Sequence, residues 1–193
     1  MARRLSLSAW TAFAALLALG SLLAWPLPIS ALDWQPAKPW RAFSAVFVHW
    51  SVLHLTANLA GCAVLAWLGS AARLPARCAL AWAIAWPLTQ LGLLLQPELL
   101  HFGGLSGVLH AGVAVAVVEL VARPARRERW IGATIGLGVV VKLWIEQPFG
   151  EPLRQVEGWD IAVVPWSHLC GAVAGLGCGF LLLMIERLRK TET

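Results

Sequence analysis

Six apolar stretches of about the length a bilayer demands dominate the sequence, and they constrain the fold more than any motif does. They cover residues 7–29, 44–68, 78–95, 104–121, 130–145 and 163–185. A hydrocarbon core takes about 20 apolar residues per helical span. Within it, a helix satisfies its own backbone without needing to close a barrel. The expected fold is therefore all-α: a polytopic membrane protein built as a six-transmembrane-helix bundle, a single membrane domain over residues 1–193. Composition agrees, with 59% hydrophobic and 13% charged residues, against about 25% charged in soluble domains. The connecting segments are too short for a second soluble domain.

The charges give the spans a direction. Arg3 and Arg4 precede the first run. Arg73 and Arg77 lie between the second and third, and Arg123, Arg126, Arg127 and Arg129 between the fourth and fifth. Arg187, Arg189 and Lys190 follow the sixth. The alternate loops hold only Lys38, Arg41 and Arg154, with Lys142 inside the fifth run. Basic residues mark cytoplasmic loops, so both termini are expected in the cytoplasm. The net charge of +5 is thereby a matter of topology, not of nucleic-acid binding. Residues 1–31 also have features of a cleavable signal peptide; the length of the apolar stretch and the even number of spans favour a retained helix. Cys62, Cys78, Cys170 and Cys178 fit neither a zinc site nor a disulfide framework and are expected to pack as small apolar residues. Trp10, Trp34, Trp40, Trp130, Trp159 and Trp166, near the ends of runs, are expected at the headgroup level.

Strongly polar side chains within membrane helices are costly and point to function. The second run holds His49, His54 and Asn58. The fourth opens on Gly103-Gly104-Leu105-Ser106-Gly107, with His110 one turn beyond Ser106. The fifth carries Lys142 and Glu146, and the sixth Ser167 and His168. The second, fourth and sixth runs share one direction, so Ser106, His168 and His54 would meet if a loop or tilt brought His54 to their level. Gly171, Gly175 and Gly179 recur every fourth residue, as do Gly103, Gly107 and Ala111. Such small faces let helix backbones approach closely in lipid.

This set suits acyl transfer. A serine hydroxyl needs a base to become a nucleophile, and His168 is the candidate for Ser106. His54, the Asn58 amide and the Ser106 backbone N–H are candidate donors to an oxyanion. Gly104 and Gly107 would allow a sharp backbone entry to the serine. No Asp lies in a span, so a Ser–His dyad is the simplest arrangement. Taken singly, each residue has a plainer explanation: a helical Ser bonds back to its own backbone, and a His packs helices. Lys142 and Glu146, four residues apart, are best read as an intrahelical pair that neutralises two costly charges. The sequence has no His-Glu-x-x-His metal motif, and its only aspartates, Asp33 and Asp160, lie in loops. No metal or cofactor is expected.

Trp40-Arg41, Phe47-Val48-His49, His54-Leu55-Thr56-Ala57-Asn58, Gly104-Leu105-Ser106-Gly107, and His168 with Gly171 and Gly175 together resemble, in order, the motifs of rhomboid intramembrane serine proteases. The resemblance implies a rhomboid-like bundle in which Ser106 is the nucleophile and His168 the general base. His54 and Asn58 would help form the oxyanion hole. His49 and Trp40-Arg41 would be structural or gating elements of the first loop, and Lys142 and Glu146 alternatively would line the approach for substrate. The Gly-Leu-Ser-Gly-Val-Leu-His run through His110, and Lys142 and Glu146 with Gln147, are similar to the rhombosortases. These are bacterial rhomboids that process proteins with C-terminal Gly-Gly sorting tails. Ser167 departs from the family, which usually has Ala before the histidine. The implied partners are membrane-anchored proteins, possibly Gly-Gly-tailed, and the lipid bilayer. The implied location is the bacterial inner membrane, with the site near the periplasmic side. The rival expectation is a proteolytically inactive rhomboid-like chaperone or adaptor.

Overall fold

The computed structural model describes residues 8–191; Arg3, Arg4 and the expected start of the first run at Leu7 lie outside them. Every regular element among these residues is helical. The α-helices are α1 (Ala9–Ala24), α2 (Ile29–Leu32), α3 (Val52–Ala71), α4 (Ala76–Leu91), α5 (Ser106–Val121), α6 (Arg126–Glu146) and α7 (Pro165–Thr191), with short 3-10 turns at Pro39–Phe43, Ala45–Phe47 and Gly92–Leu95. Three segments, Val52–Ala71, Ala76–Leu95 and Pro165–Thr191, are long and apolar enough to cross a membrane by length and composition. Helices α1 and α5 are apolar but shorter, and α6 opens on Arg126-Arg127-Glu128-Arg129.

Several ends differ from the apolar runs for local chemical reasons. Helix α1 stops at Ala24 instead of 29 because Pro26 and Pro28 cannot continue it. Helix α3 starts at Val52 instead of 44. Residues before it form 3-10 turns, and the Ser51 hydroxyl caps the helix by accepting the His54 N–H at 3.0 Å. Helix α5 starts at Ser106, after Gly104 takes a φ of +146° that disfavours a side chain. Helix α7 opens on Pro165, whose missing N–H costs nothing at a first helical position.

Helix α5 sits at the centre, packed by α3, α4, α6 and α7. Its contact with α7 is backbone to backbone. A Cβ on Gly171 would run into the Gly107 carbonyl, one on Gly175 would strike Ala111, and one on Gly179 would touch Val115. The numbering rises together on both helices, so they run parallel. Gly61 against Leu109 and Gly112 against Leu65 make α3 parallel to them as well. Helix α4 runs the other way: Trp82 donates from Nε1 to the Val108 carbonyl at 2.7 Å, and Arg77 pairs with Glu119. Helix α6 is also antiparallel to α5, meeting it through Gly132 and Gly136. The N-terminal ends of α3, α5 and α7 and the C-terminal end of α6 therefore lie at one end of the bundle.

Two tryptophans expected in an interfacial belt are core residues instead. Trp10 is fully buried, stacks 4.6 Å from Trp82 and donates to the Leu65 carbonyl at 2.7 Å. Trp34 is fully buried beside Phe102, their backbones exchanging hydrogen bonds of 2.8 and 3.0 Å. The four cysteines are free; Cys62, Cys78 and Cys178 are buried, and Cys170 packs on Gly92.

The loop between α1 and α3 is fastened to the segment entering α5. Asp33, 1% exposed, accepts from Arg41 at 2.9 Å, from Gln35 at 3.1 Å and from His101 at 2.5 Å. Burial alone would raise the Asp33 carboxyl, but the hydrogen bonds from His101 and Gln35 and the charges of His101 and Arg41 hold it below the usual carboxylate range. Arg41 also donates to the Ser30 carbonyl at 2.9 Å, so it ties the loop together.

Candidate active site

Ser106 and His168 occupy the first turns of two parallel helices, and the glycine contact between those helices brings them within reach of each other. The Ser106 hydroxyl and His168 Nε2 are 2.9 Å apart. On its other side, His168 Nδ1 lies 2.8 Å from Glu146 Oε2. A carboxylate only accepts, so the proton sits on Nδ1, and the Nε2 lone pair faces the Ser106 hydroxyl. Glu146 is the last residue of α6, and its second oxygen pairs with Lys142 one turn back. His110, one turn beyond Ser106, donates from Nδ1 to the Ser106 carbonyl at 2.7 Å. Its ring stacks on His168 with centroids 4.3 Å apart and planes at 18°. The imidazole of His168 is thus held at both nitrogens and on one face.

His54 joins this level because α3 begins at Val52. It lies in the first turn, not several turns along, so the loop does what depth within a helix would have prevented. Its Nδ1 accepts the Trp50 N–H at 3.4 Å, which leaves the ring proton on Nε2. A Cβ on Gly104 would lie 3.0 Å from that Nε2, and the Gly104 φ of +146° disfavours a side chain, so glycine eases the approach of the turn before Ser106 to His54. The Asn58 amide, 4% exposed, gives one N–H to the His54 carbonyl at 3.1 Å. His49 lies beside His54 with ring centroids 4.8 Å apart and holds the Phe47 carbonyl through Nδ1 at 3.1 Å.

One cavity of about 910 Å³ is lined by His54, Asn58, Ser106, His110, Glu146 and His168 on the polar side and by Val113, Ile135, Val139, Leu153 and Ile161 on the apolar side. The loop between α6 and α7 covers it in part through Trp159 and Val163. That loop is pinned to the start of α3 where the Ser51 hydroxyl donates to Asp160 at 2.8 Å. The first N–H groups of α5 and the positive end of its dipole point toward the Ser106 end of the cavity, where an anion would be stabilised.

The family model for the rhomboid domain matches residues 36–185, most of the chain and every element around the cavity. The chain belongs to the rhomboid family. Rhomboids are intramembrane serine proteases, hydrolases that act on membrane proteins within the bilayer, and this rhomboid is accordingly an integral membrane protein. No curated protein matches the chain.

The candidate site residues fall at this end of the bundle, though not all touch Ser106 or His168. Ser106, His168, His110 and Glu146 form one connected set. His54 and Asn58 form the neighbouring wall, Gly104 packs against His54, and His49 stands behind His54. Lys142 reaches the set only through Glu146. Trp40 is well exposed and Arg41 belongs to the loop tie. Ser167, 1% exposed, donates back to the Val164 carbonyl at 2.8 Å, and its own carbonyl lies against Gly107. Nothing in the sequence links Glu146 to His168. The spacing of Lys142 and Glu146 accounted for their charges locally, and nothing in it shows that the end of α6 abuts α7. His101 was also missed: it lies in a loop and gains its role only from the fold around Asp33.

Proposed function

We propose that the chain is an intramembrane serine endopeptidase that cleaves membrane-anchored proteins near the outer leaflet, removing C-terminal Gly-Gly sorting tails in the manner of a rhombosortase. The observation that carries the reading is the 2.9 Å approach of the Ser106 hydroxyl to a His168 nitrogen at the wall of a mostly apolar cavity. In this reading the bundle crosses the bacterial inner membrane six times with both termini cytoplasmic, which puts the site on the periplasmic side.

A substrate segment unwinds at the cavity mouth and presents a peptide carbonyl to Ser106. Glycine-rich segments hold helix weakly, so a Gly-Gly sequence unwinds at low cost. Ser106 Oγ bonds to the carbonyl carbon as its proton passes to His168 Nε2. The oxyanion is met by the Ser106 N–H, by His54 Nε2–H and by the Asn58 amide, whose second N–H is uncommitted. His168 then gives the proton to the departing amine, and the C–N bond breaks. Water, deprotonated by the same nitrogen, opens the acyl-enzyme and restores Ser106.

The test is co-expression with a Gly-Gly-tailed membrane-anchored protein. Ser106→Ala should leave the tail in place while the variant accumulates in the membrane as the parent does; unchanged processing removes the proposal. An inactive adaptor would bind such proteins without cleaving them and would resist a serine-directed phosphonate.

A further inference from the structure

Glu146 is joined to two residues, and the two contacts have different meanings. Its pairing with Lys142 at i,i−4 on α6 is what any helix uses to neutralise charge in lipid. The contact from Oε2 to His168 Nδ1 at 2.8 Å crosses to another helix and needs the ends of α6 and α7 to meet. We infer that Glu146 is a positioning residue that makes Ser106, His168 and Glu146 a triad in place of a dyad; this rests on the proteolytic reading above.

Three features of the site support it. First, the carboxylate fixes the tautomer: with the proton held on Nδ1, Nε2 is free to take the serine proton, and a neutral amide in the same place could reverse that choice. Second, the side chains are enclosed, His168 being 6% and Glu146 17% exposed. The carboxylate, offset in part by Lys142 on its other oxygen, therefore acts at short range on the imidazolium formed in the transition state. Third, the place of Glu146 is set by the backbone. Gln147 turns into the left-handed region at φ +51°, its N–H closing on the Leu143 carbonyl, so α6 ends where its final side chain meets His168. Lys142, 46% exposed, holds the other carboxylate oxygen. With His110 stacked on the ring, rotation of His168 is opposed from every side that protein occupies.

Charge neutralisation and positioning predict different results when both members of the ion pair are removed. The full-length protein in detergent micelles is treated with an alkyl fluorophosphonate. Ser106 Oγ bonds to phosphorus, fluoride leaves, and the hydroxyl proton goes to His168. The same samples are assayed for kcat and KM on a fluorescent transmembrane reporter. Glu146→Gln should slow labelling and lower kcat by about 10²–10⁴-fold with KM little changed. Lys142→Met should cost less than about tenfold, and Glu146→Asp, which keeps the charge on a shorter arm, should fall between. The double variant K142M/E146Q has no unpaired charge and supplies the comparison if the single variant fails to fold; it should be as slow as Glu146→Gln. Labelling of Glu146→Gln within about threefold of the parent, a loss confined to KM, or recovery of the double variant to the parent's rate would overturn the inference. If the parent itself leaves the phosphonate unreacted, the proteolytic reading fails and this inference falls with it. A reactive parent alongside an equally reactive Glu146→Gln sinks the inference alone.

Discussion

The two ends of this bundle face the same difficulty, polar groups in an apolar protein, and resolve it differently. At the C-terminal ends of α5 and α7, Arg77 bridges Glu119 and Glu186 at 2.6 Å each. Arg123 meets Glu119 at 3.5 Å and Glu128 at 2.5 Å, and Lys190 pairs with Glu186 at 2.7 Å. Among the described residues, each of Glu119, Glu128 and Glu186 there has a cation, and a small crevice lies beside Arg77 and Glu119. At the opposite end the polar groups form a line instead of a closed cluster, from Lys142 through Glu146 and His168 to Ser106. That line ends on a hydroxyl facing a cavity of about 910 Å³. One end is polar in order to join four helices. The other places its last group, a hydroxyl bonded only to an imidazole, at the wall of the cavity, as the proposed nucleophilic role requires.

The largest effect should separate the two ends completely. His168→Ala should lower cleavage of the reporter by about 10³-fold or more, as loss of a general base does in serine proteases, far more than the accompanying stability loss of about 1–3 kcal/mol from its missing contacts would explain. Rates and melting curves on the same preparation check this; a rate within tenfold of the parent would deny the line of polar groups its role.

The next effect tests how the line is assembled. An added methyl on Gly171 would sit 2.7 Å from the Gly107 carbonyl carbon, which is backbone and has little room to yield. Gly171→Ala should cost about 3 kcal/mol, the upper part of the range for overpacking. It should also reduce cleavage, because parting α5 from α7 lengthens the distance from Ser106 to His168. Thermal unfolding and phosphonate labelling should fall together.

Much of this assembly was legible in the residues and some was not. The small-residue repeats gave the α5–α7 contact, since nothing larger fits where two backbones touch. The motifs singled out Ser106 and His168, whose side chains the fold brings within 2.9 Å of each other. The level of His54 was not legible from an apolar run starting at 44, because Val46, Phe47 and Val48 are as apolar as a helix would be. It took the Ser51 cap to show where α3 begins. Trp10 and Trp34 look interfacial by position, yet each has a backbone or core partner that no linear pattern reveals. The cross-helix partner of Glu146 was hidden because its local partner, Lys142, already accounted for its charge.

At the ion-pair end the comparison predicts stability without chemistry. Glu119→Gln takes from Arg77 and Arg123 the carboxylate they share, leaving Arg77 with Glu186 and Arg123 with Glu128, so the penalty should be about 2 kcal/mol, inside the range for hydrogen bonds to charged groups. That lowers the apparent melting temperature by roughly 4–8 °C for a chain of this size, with kcat unchanged. A loss of kcat would show that the two ends are coupled through α5.

A smaller, pH-dependent effect belongs to the loop tie. Because the Asp33 carboxyl is held below its ordinary range, its ionised form is favoured by folding. Its contribution is complete above the unfolded carboxylate pKa of about 3.9 and is lost as pH falls through the lower folded value. Asp33→Asn should cost about 1 kcal/mol at pH 7, and the gap to the parent should close on acidification. A gap that persists unchanged at pH 3 would mean that Arg41 and His101 do not act through the charge.

The smallest effect is the control for the Gly171 result. Gly177 lies on the same helix, six residues on, yet a Cβ built there meets nothing within 4 Å. The position faces away from α5, so a methyl group has nothing to displace. Replacing it removes the backbone freedom that glycine surrenders on entering a helix. Gly177→Ala should therefore stabilise α7 by at most about 1 kcal/mol and leave cleavage unchanged. The pair of alanine variants asks whether α7 needs its glycines for flexibility or for contact. If helix softness mattered, both would impair cleavage, Gly177→Ala through stiffening alone. If close approach to α5 is what matters, only the residue that touches Gly107 will, and the site's geometry then depends on where the small residues point.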